Sequence, residues 1–174
     1  RHISTAQISD YARRSTITLN GASKTFNLAG LHTSYSIVYD QALRERYHQA
    51  SAASHYSAPN TLSVAALIGA YTGGHQYVDE LVAYIRQNME LAHDFISQQV
   101  PSVASYLPQG TYTMWLDFSG TGRSQEENAR RMGAKGLVIN PGSDYHGDNW
   151  FRMNLACPRS QVERALQALR AAMA

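Results

Sequence analysis

A change of hydrophobic period near the middle of the chain constrains its fold more than any other feature. Val78, Leu81, Val82, Ile85, Met89, Ala92 and Ile96 recur at helical spacing and predict one long amphipathic helix, closed by Pro101. Shortly afterwards Tyr112, Met114, Leu116 and Phe118 alternate with Thr113, Trp115 and Asp117, the period-two pattern of a strand with one buried face. A helix with one apolar stripe and a strand with one apolar face both need a cover, and each can supply it for the other. Later segments extend this layer. Leu137 to Asn140 and Trp150 to Ala156 read as strands, and Ser124 with Glu127 and Ser160 with Glu163 read as capping boxes that start helices. The last helix should bury Val162, Ala165, Leu166, Leu169 and Met173. The second half is therefore expected to be an α+β layer of helices on a small sheet.

The first half is more broken. Ser15 to Leu19 and Ser34 to Tyr39 read as short strands, and Asp40 caps a helix running to about Ala50. Ser51 to Asn60 reads as a loop, followed by a helix from Thr61 to Tyr71 that Gly73-Gly74 ends. The boundary between the halves is placed there, giving segments 1–73 and 74–174.

With 44% apolar residues a core can be buried, which argues against wholesale disorder. The formal charge is +2 and no basic run exceeds Arg13-Arg14 or Arg130-Arg131, so no nucleic-acid partner is expected. The longest apolar run, Val64 to Ala70, falls far short of the ~20 residues that span a bilayer, so no membrane partner is expected either. One cysteine, Cys157, fits a reducing, cytoplasmic setting. His2, His48, His55, His75, His93 and His146 show no metal-ligand spacing, and Asp144 and Asp148 beside His146 read as a solvated turn, so no metal is expected. The chain opens on Arg1 rather than Met, as a piece of a longer protein would.

The chemistry concentrates at Lys24. A lysine just after a strand is ordinarily a solvated surface charge. Here Gly21, Ala22 and Ser23 leave room for a planar ligand to approach the backbone. Phe26 and Leu28 nearby predict a partly desolvated amine, and desolvation frees the lone pair for attack on a carbonyl. A phosphate-binding loop would need glycine immediately before the lysine and again five residues earlier, where this chain has Ser23 and Thr18.

The segment Ser23-Lys24-Thr25-Phe26-Asn27-Leu28-Ala29-Gly30-Leu31 resembles the lysine segment of class I/II aminotransferase-fold enzymes, and its form is similar to that of the MalY/PatB-type cystathionine β-lyases. Gly110-Thr111-Tyr112 with Trp115-Leu116-Asp117, then Pro141-Gly142, Phe151-Arg152-Met153-Asn154 and Cys157-Pro158-Arg159, continue the resemblance in the same order along nearly the whole chain. It implies an α/β fold, that of the fold type I transferases dependent on pyridoxal 5′-phosphate (PLP). Residues 1–73 would end the large cofactor-binding domain, and residues 74–174 would form the small α+β domain.

The resemblance also implies roles. Lys24, flanked by Ser23 at the cofactor, would hold PLP as an imine and then move the substrate α-proton. Arg152 would clamp the α-carboxylate of a small amino-acid substrate, with Tyr112 and Trp115 as lining residues. The implied reaction is β-elimination from a sulfur amino acid such as cystathionine, giving thiol, pyruvate and ammonia. The protein would be a homodimer, with the Tyr56-Ser57-Ala58-Pro59-Asn60 loop reaching the neighbour's pocket. Many aminotransferases of this fold carry arginine eight residues after the lysine to bind the cofactor phosphate; His32 stands there, which favours the lyase branch. The aspartate that pairs with the pyridine nitrogen, the stacking aromatic residue and the phosphate-cradling turn would all lie upstream of Arg1, so the chain alone is expected to be inactive. Two rivals share these residues: an amino-acid aminotransferase, and an aminotransferase-like ligand-sensing domain of a regulator.

Overall fold

The computed structural model describes residues 2–55 and 59–174, which form two compact units, Arg1–Asp79 and Glu80–Ala174. In the first, α1 (Asp10–Ser15) leads into β1 (Ile17–Asn20), which pairs antiparallel with β2 (Tyr35–Val38); α2 (Gln41–Ala53) and α3 (Thr61–Gly73) follow. Both strands begin one or two residues later than expected; for β1 the reason is that Ser9 caps α1 through the Ala12 N–H and the helix takes the chain as far as Ser15. Asp40 caps α2 as expected, accepting from the Leu43 N–H at 2.8 Å. The same device starts α3, where Asn60 accepts from the Ser63 N–H at 2.8 Å. Residues 51–53, expected in a loop, continue α2.

Little of this unit is buried. Its core residues are Ala6, Ala22 and Val38, while Leu62, Val64, Ile68 and Tyr71 of α3 are exposed. Two tyrosines give it a polar anchor. The Tyr35 and Tyr71 hydroxyls lie 2.8 Å apart, and that bond, aided by burial, pushes the Tyr71 pKa up to about 12.

The second unit carries the main core. Helix α4 (His75–Gln99) runs into it, followed by β3 (Ala104–Ser105), β4 (Thr113–Asp117), α5 (Gln125–Ala134), β5 (Asn140–Pro141), β6 (Trp150–Asn154) and α6 (Arg159–Met173). The sheet is antiparallel in the order β3-β4-β6-β5. Met114 and Leu116 of β4 and Phe151 and Met153 of β6 turn to one face, where they meet Ile85, Met89, Ala92 and Ile96 of α4 and Val162, Leu166 and Leu169 of α6. The long helix has the expected stripe with one exception: Val82 is exposed, and Asn88 is buried in the apolar neighbourhood. Asn88 is tolerated there because its amide donates to the Leu155 and Cys157 carbonyls, both at 3.0 Å. No helix among the described residues is long and apolar enough to cross a membrane.

Three local expectations are corrected. Ser160 is not a cap: α6 starts at Arg159, because Pro158 already holds a φ of −54° and accepts the first helical bonds from Gln161 and Val162. The free Arg159 N–H is taken instead by the Tyr84 hydroxyl of α4 at 2.7 Å. Ser124 does accept from the Glu127 N–H, but Glu127 turns its carboxylate to Arg130 rather than back to the cap. The strand expected from Leu137 shrinks to Asn140–Pro141: Leu137 dives into the core and Val138 points to solvent, so the pair does not continue the ladder.

Core burial on this scale makes the two units unequal in stability. Amide hydrogen exchange of the 174-residue chain should show protection in Glu80–Ala174 at least about tenfold above that in the segment before it. Equal protection would contradict the distribution of buried side chains. Gly142 provides a sharper test. A Cβ there would run into the Gly147 carbonyl and stand 2.6 Å from the Trp150 carbonyl oxygen, both backbone atoms. Gly142→Ala should destabilise the second unit by about 1–3 kcal/mol, measured by urea unfolding.

Candidate active site

Lys24 sits in a compact turn between β1 and β2. The turn opens with the Asn20 side chain accepting from the Gly21 N–H at 2.8 Å. It is closed by backbone bonds from Phe26 to the Ala22 carbonyl and from Leu28 to the Ser23 carbonyl. Ala22 is wholly buried, and the Gly21 backbone passes within van der Waals reach of the Thr33 carbonyl. Asn27 takes the left-handed conformation that its short polar side chain tolerates.

Helix α3 then grips the segment at both ends. Tyr71 meets the Phe26 ring edge to face at 5.4 Å, and the Ser63 hydroxyl, itself buried, donates to the Leu31 carbonyl at 2.9 Å. The turn therefore presents Lys24 from a backbone held by strand, helix and internal bonds. Phe26 and Leu28 do not cover the amine as expected. Phe26 turns to α3 and Lys24 is exposed, with no ion pair or hydrogen bond among the described residues. Ser23 is half-buried beside it. An amine free of internal partners at the rim of a rigid small-residue turn fits a ligand that brings an aldehyde. His32, eight residues on, is exposed and left-handed at the end of a single helical turn.

A cavity of about 490 Å³ in this unit is lined by Ala6, Gln7, Ser9, Asp10, Arg13 and Tyr39, with the Arg13 guanidinium stacked on Tyr39. Residues 56–58 of the loop expected to reach a neighbouring subunit lie outside the described residues.

Arg152 lies in the second unit, on the sheet face opposite the helices. In the ladder it stands between Trp115 of β4 and Asn140 of β5. Its guanidinium carbon is 4.3 Å from the centre of the Tyr145 ring, and its Nη2 donates to Asn140 Oδ1 at 3.5 Å. Trp115 packs edge to face on both Tyr145 and Trp150, and Tyr106 stacks on Trp150. No carboxylate among the described residues forms an ion pair with Arg152.

Tyr112 goes the other way. It packs against the helix-facing core, and its carbonyl accepts from the Leu155 N–H at 2.9 Å. Strand alternation explains the split: Tyr112 shares its parity with Met114 and Leu116, whereas Trp115 shares the face of Arg152. Thr111 before it has a φ of +70°, a strained state for a β-branched residue. Tyr145 and Asn140 are not singled out by the sequence, where Asn140 ends an expected strand and Tyr145 falls beside a polar turn. The only signal was Pro141-Gly142, which begins the short helical turn that carries Tyr145. Burial pushes the Cys157 thiol up, away from a reactive thiolate. No group of three or more metal-ligating side chains comes together among the described residues.

Cystathionine beta-lyase PatB of Bacillus subtilis (strain 168) is 35% identical over 176 residues, covering 99% of this chain and 46% of that protein. The fold superposes on a PLP-bound protein of Clostridium difficile 630 with a TM-score of 0.95 at 32% identity, over 100% of this chain and 46% of that one. Cystalysin from Treponema denticola, which contains PLP, superposes with a TM-score of 0.89 at 27% identity, over 95% and 43% of the two chains. The chain thus spans about half the length of these relatives. The family model "Aminotransferase class I and II" matches residues 2–169, and the chain belongs to that family.

Proposed function

We propose that the protein is a PLP-dependent carbon–sulfur β-lyase, with Lys24 as cofactor lysine and proton carrier and Arg152 as carboxylate anchor. The observation that carries this reading is the partner-free Lys24 amine on a braced small-residue turn, within a chain 35% identical to a cystathionine β-lyase. Pyridoxal phosphate, when bound, supplies an electron sink for the bond broken at the substrate α-carbon.

The chain's own residues account for the rest. Lys24 Nζ would take the α-proton and could then return a proton to the departing thiolate. The α-carbon electrons then expel sulfur from the β-carbon, and hydrolysis of the remaining fragment yields pyruvate and ammonia. The Arg152 guanidinium binds the α-carboxylate through two parallel N–H groups, a planar fork that matches the carboxylate's two oxygens. The Ser23 hydroxyl is assigned to the cofactor beside Lys24. Tyr112 and Trp115 are proposed as lining residues, Trp115 being the one that stands beside Arg152 in the ladder. Residues 1–73 are assigned to the large domain and 74–174 to the small one.

Reduction of the full-length enzyme with borohydride, digestion and mass spectrometry should find the phosphopyridoxyl group on Lys24, and a label on another lysine refutes the assignment. Lys24→Ala should lower kcat by on the order of a thousandfold. Cystathionine should give pyruvate without added keto acid; a strict requirement for a keto-acid acceptor would identify an aminotransferase instead. Arg152→Ala should cost about 2–4 kcal/mol in kcat/KM, and Arg152→Lys should recover little of it, because an ammonium lacks the fork. Near-wild-type kcat/KM in either variant would remove Arg152 from the site.

A further inference from the structure

A guanidinium on a strand can rotate about several bonds, so a carboxylate anchor must either be held beforehand or lose that freedom on binding. Arg152 is held on two sides. The Tyr145 ring lies under its face at 4.3 Å, and Asn140 Oδ1 takes one edge through Nη2 at 3.5 Å. Trp115, edge-on to Tyr145 at 5.6 Å, keeps that ring from tilting away.

The support beneath Tyr145 is built too. It ends a helical turn in which the Gly147 N–H donates to the Gly142 carbonyl at 2.9 Å. The Gln125 side chain clamps the turn from α5, donating to the Ser143 hydroxyl at 2.8 Å and accepting from the Ser143 N–H at 3.3 Å. The stack fixes the guanidinium plane and the amide fixes its rotation, while its other N–H groups have no partner among the described residues.

We propose that Tyr145 and Asn140 are positioning residues for the substrate carboxylate, acting through Arg152; this rests on the reading of Arg152 as the anchor. Tyr145 contributes its ring face rather than its hydroxyl, so phenylalanine should replace it and leucine should not. The test measures binding of 2-methylalanine, which has no α-proton to lose, to the PLP-loaded full-length enzyme by calorimetry. Tyr145→Leu should raise Kd roughly tenfold, Asn140→Ala a few-fold, and Tyr145→Phe less than about twofold. The Tyr145→Leu, Arg152→Ala double variant should bind no worse than Arg152→Ala alone, because the two act as one unit. For turnover, Tyr145→Leu should raise KM with kcat changed little.

Unaltered Kd in both Tyr145→Leu and Asn140→Ala, with Arg152→Ala weakened, would overturn this inference and leave the anchor standing. Losses that add fully in the double variant would likewise overturn it, since Tyr145 would then act independently of Arg152. Normal binding by Arg152→Ala would take both readings down.

Discussion

The alternation of side chains across the β4–β6 pair organises the second unit. The register sets Met114 against Met153 and Leu116 against Phe151 on the helix side, where α4 and α6 cover them. With those four turned inward, Trp115, Trp150 and Arg152 must project from the other face, since neighbours in a strand point in opposite directions. A slip of one residue would bury the guanidinium and expose Phe151. The apolar demand of the core is thus what sends Arg152 to the open face.

The Lys24 turn obeys a different logic. Its environment has little buried apolar area, and its shape comes from directional bonds: an asparagine accepting at the strand exit, two turn-closing backbone bonds and a serine hydroxyl on the Leu31 carbonyl. Hydrogen bonds individually add little net stability but fix geometry closely, since an unmade one in a partly buried place is costly. One unit is organised chiefly by burial and the other chiefly by polar bonds. The string of small and polar residues around Lys24 serves that second kind of order.

Periodicity was legible where a stripe faced a core. The face of α4 and the alternation in β4 could be read from residue spacing, and Asp40 could be identified as a cap from its type. What could not be read depended on residues distant in sequence. Val82 lies on the expected stripe yet finds no cover, while Asn88 is buried with its amide nitrogen donating to two carbonyls some seventy residues away. Lys24 and Arg152 stood out through motif resemblance, but the motif said nothing of Tyr145 or Asn140. Their link to Arg152 is made by strand pairing and by a folded turn that looked like ordinary polar surface. Tyr112 could be read from its parity with Met114 and Leu116 as facing the core, against which it packs half-buried.

The start of α6 has a consequence for how this half of the chain assembles. Its first free N–H is held by a phenol belonging to α4, across 75 positions of sequence. Most helices carry their own stop for that group, in the side chain just before them. Here the final helix borrows it, and Pro158 offers no substitute. The first turn of α6 therefore has no complete set of partners until α4 is beside it. The leading end of α6 is thus fixed by a tertiary contact with α4 and not by its own local sequence.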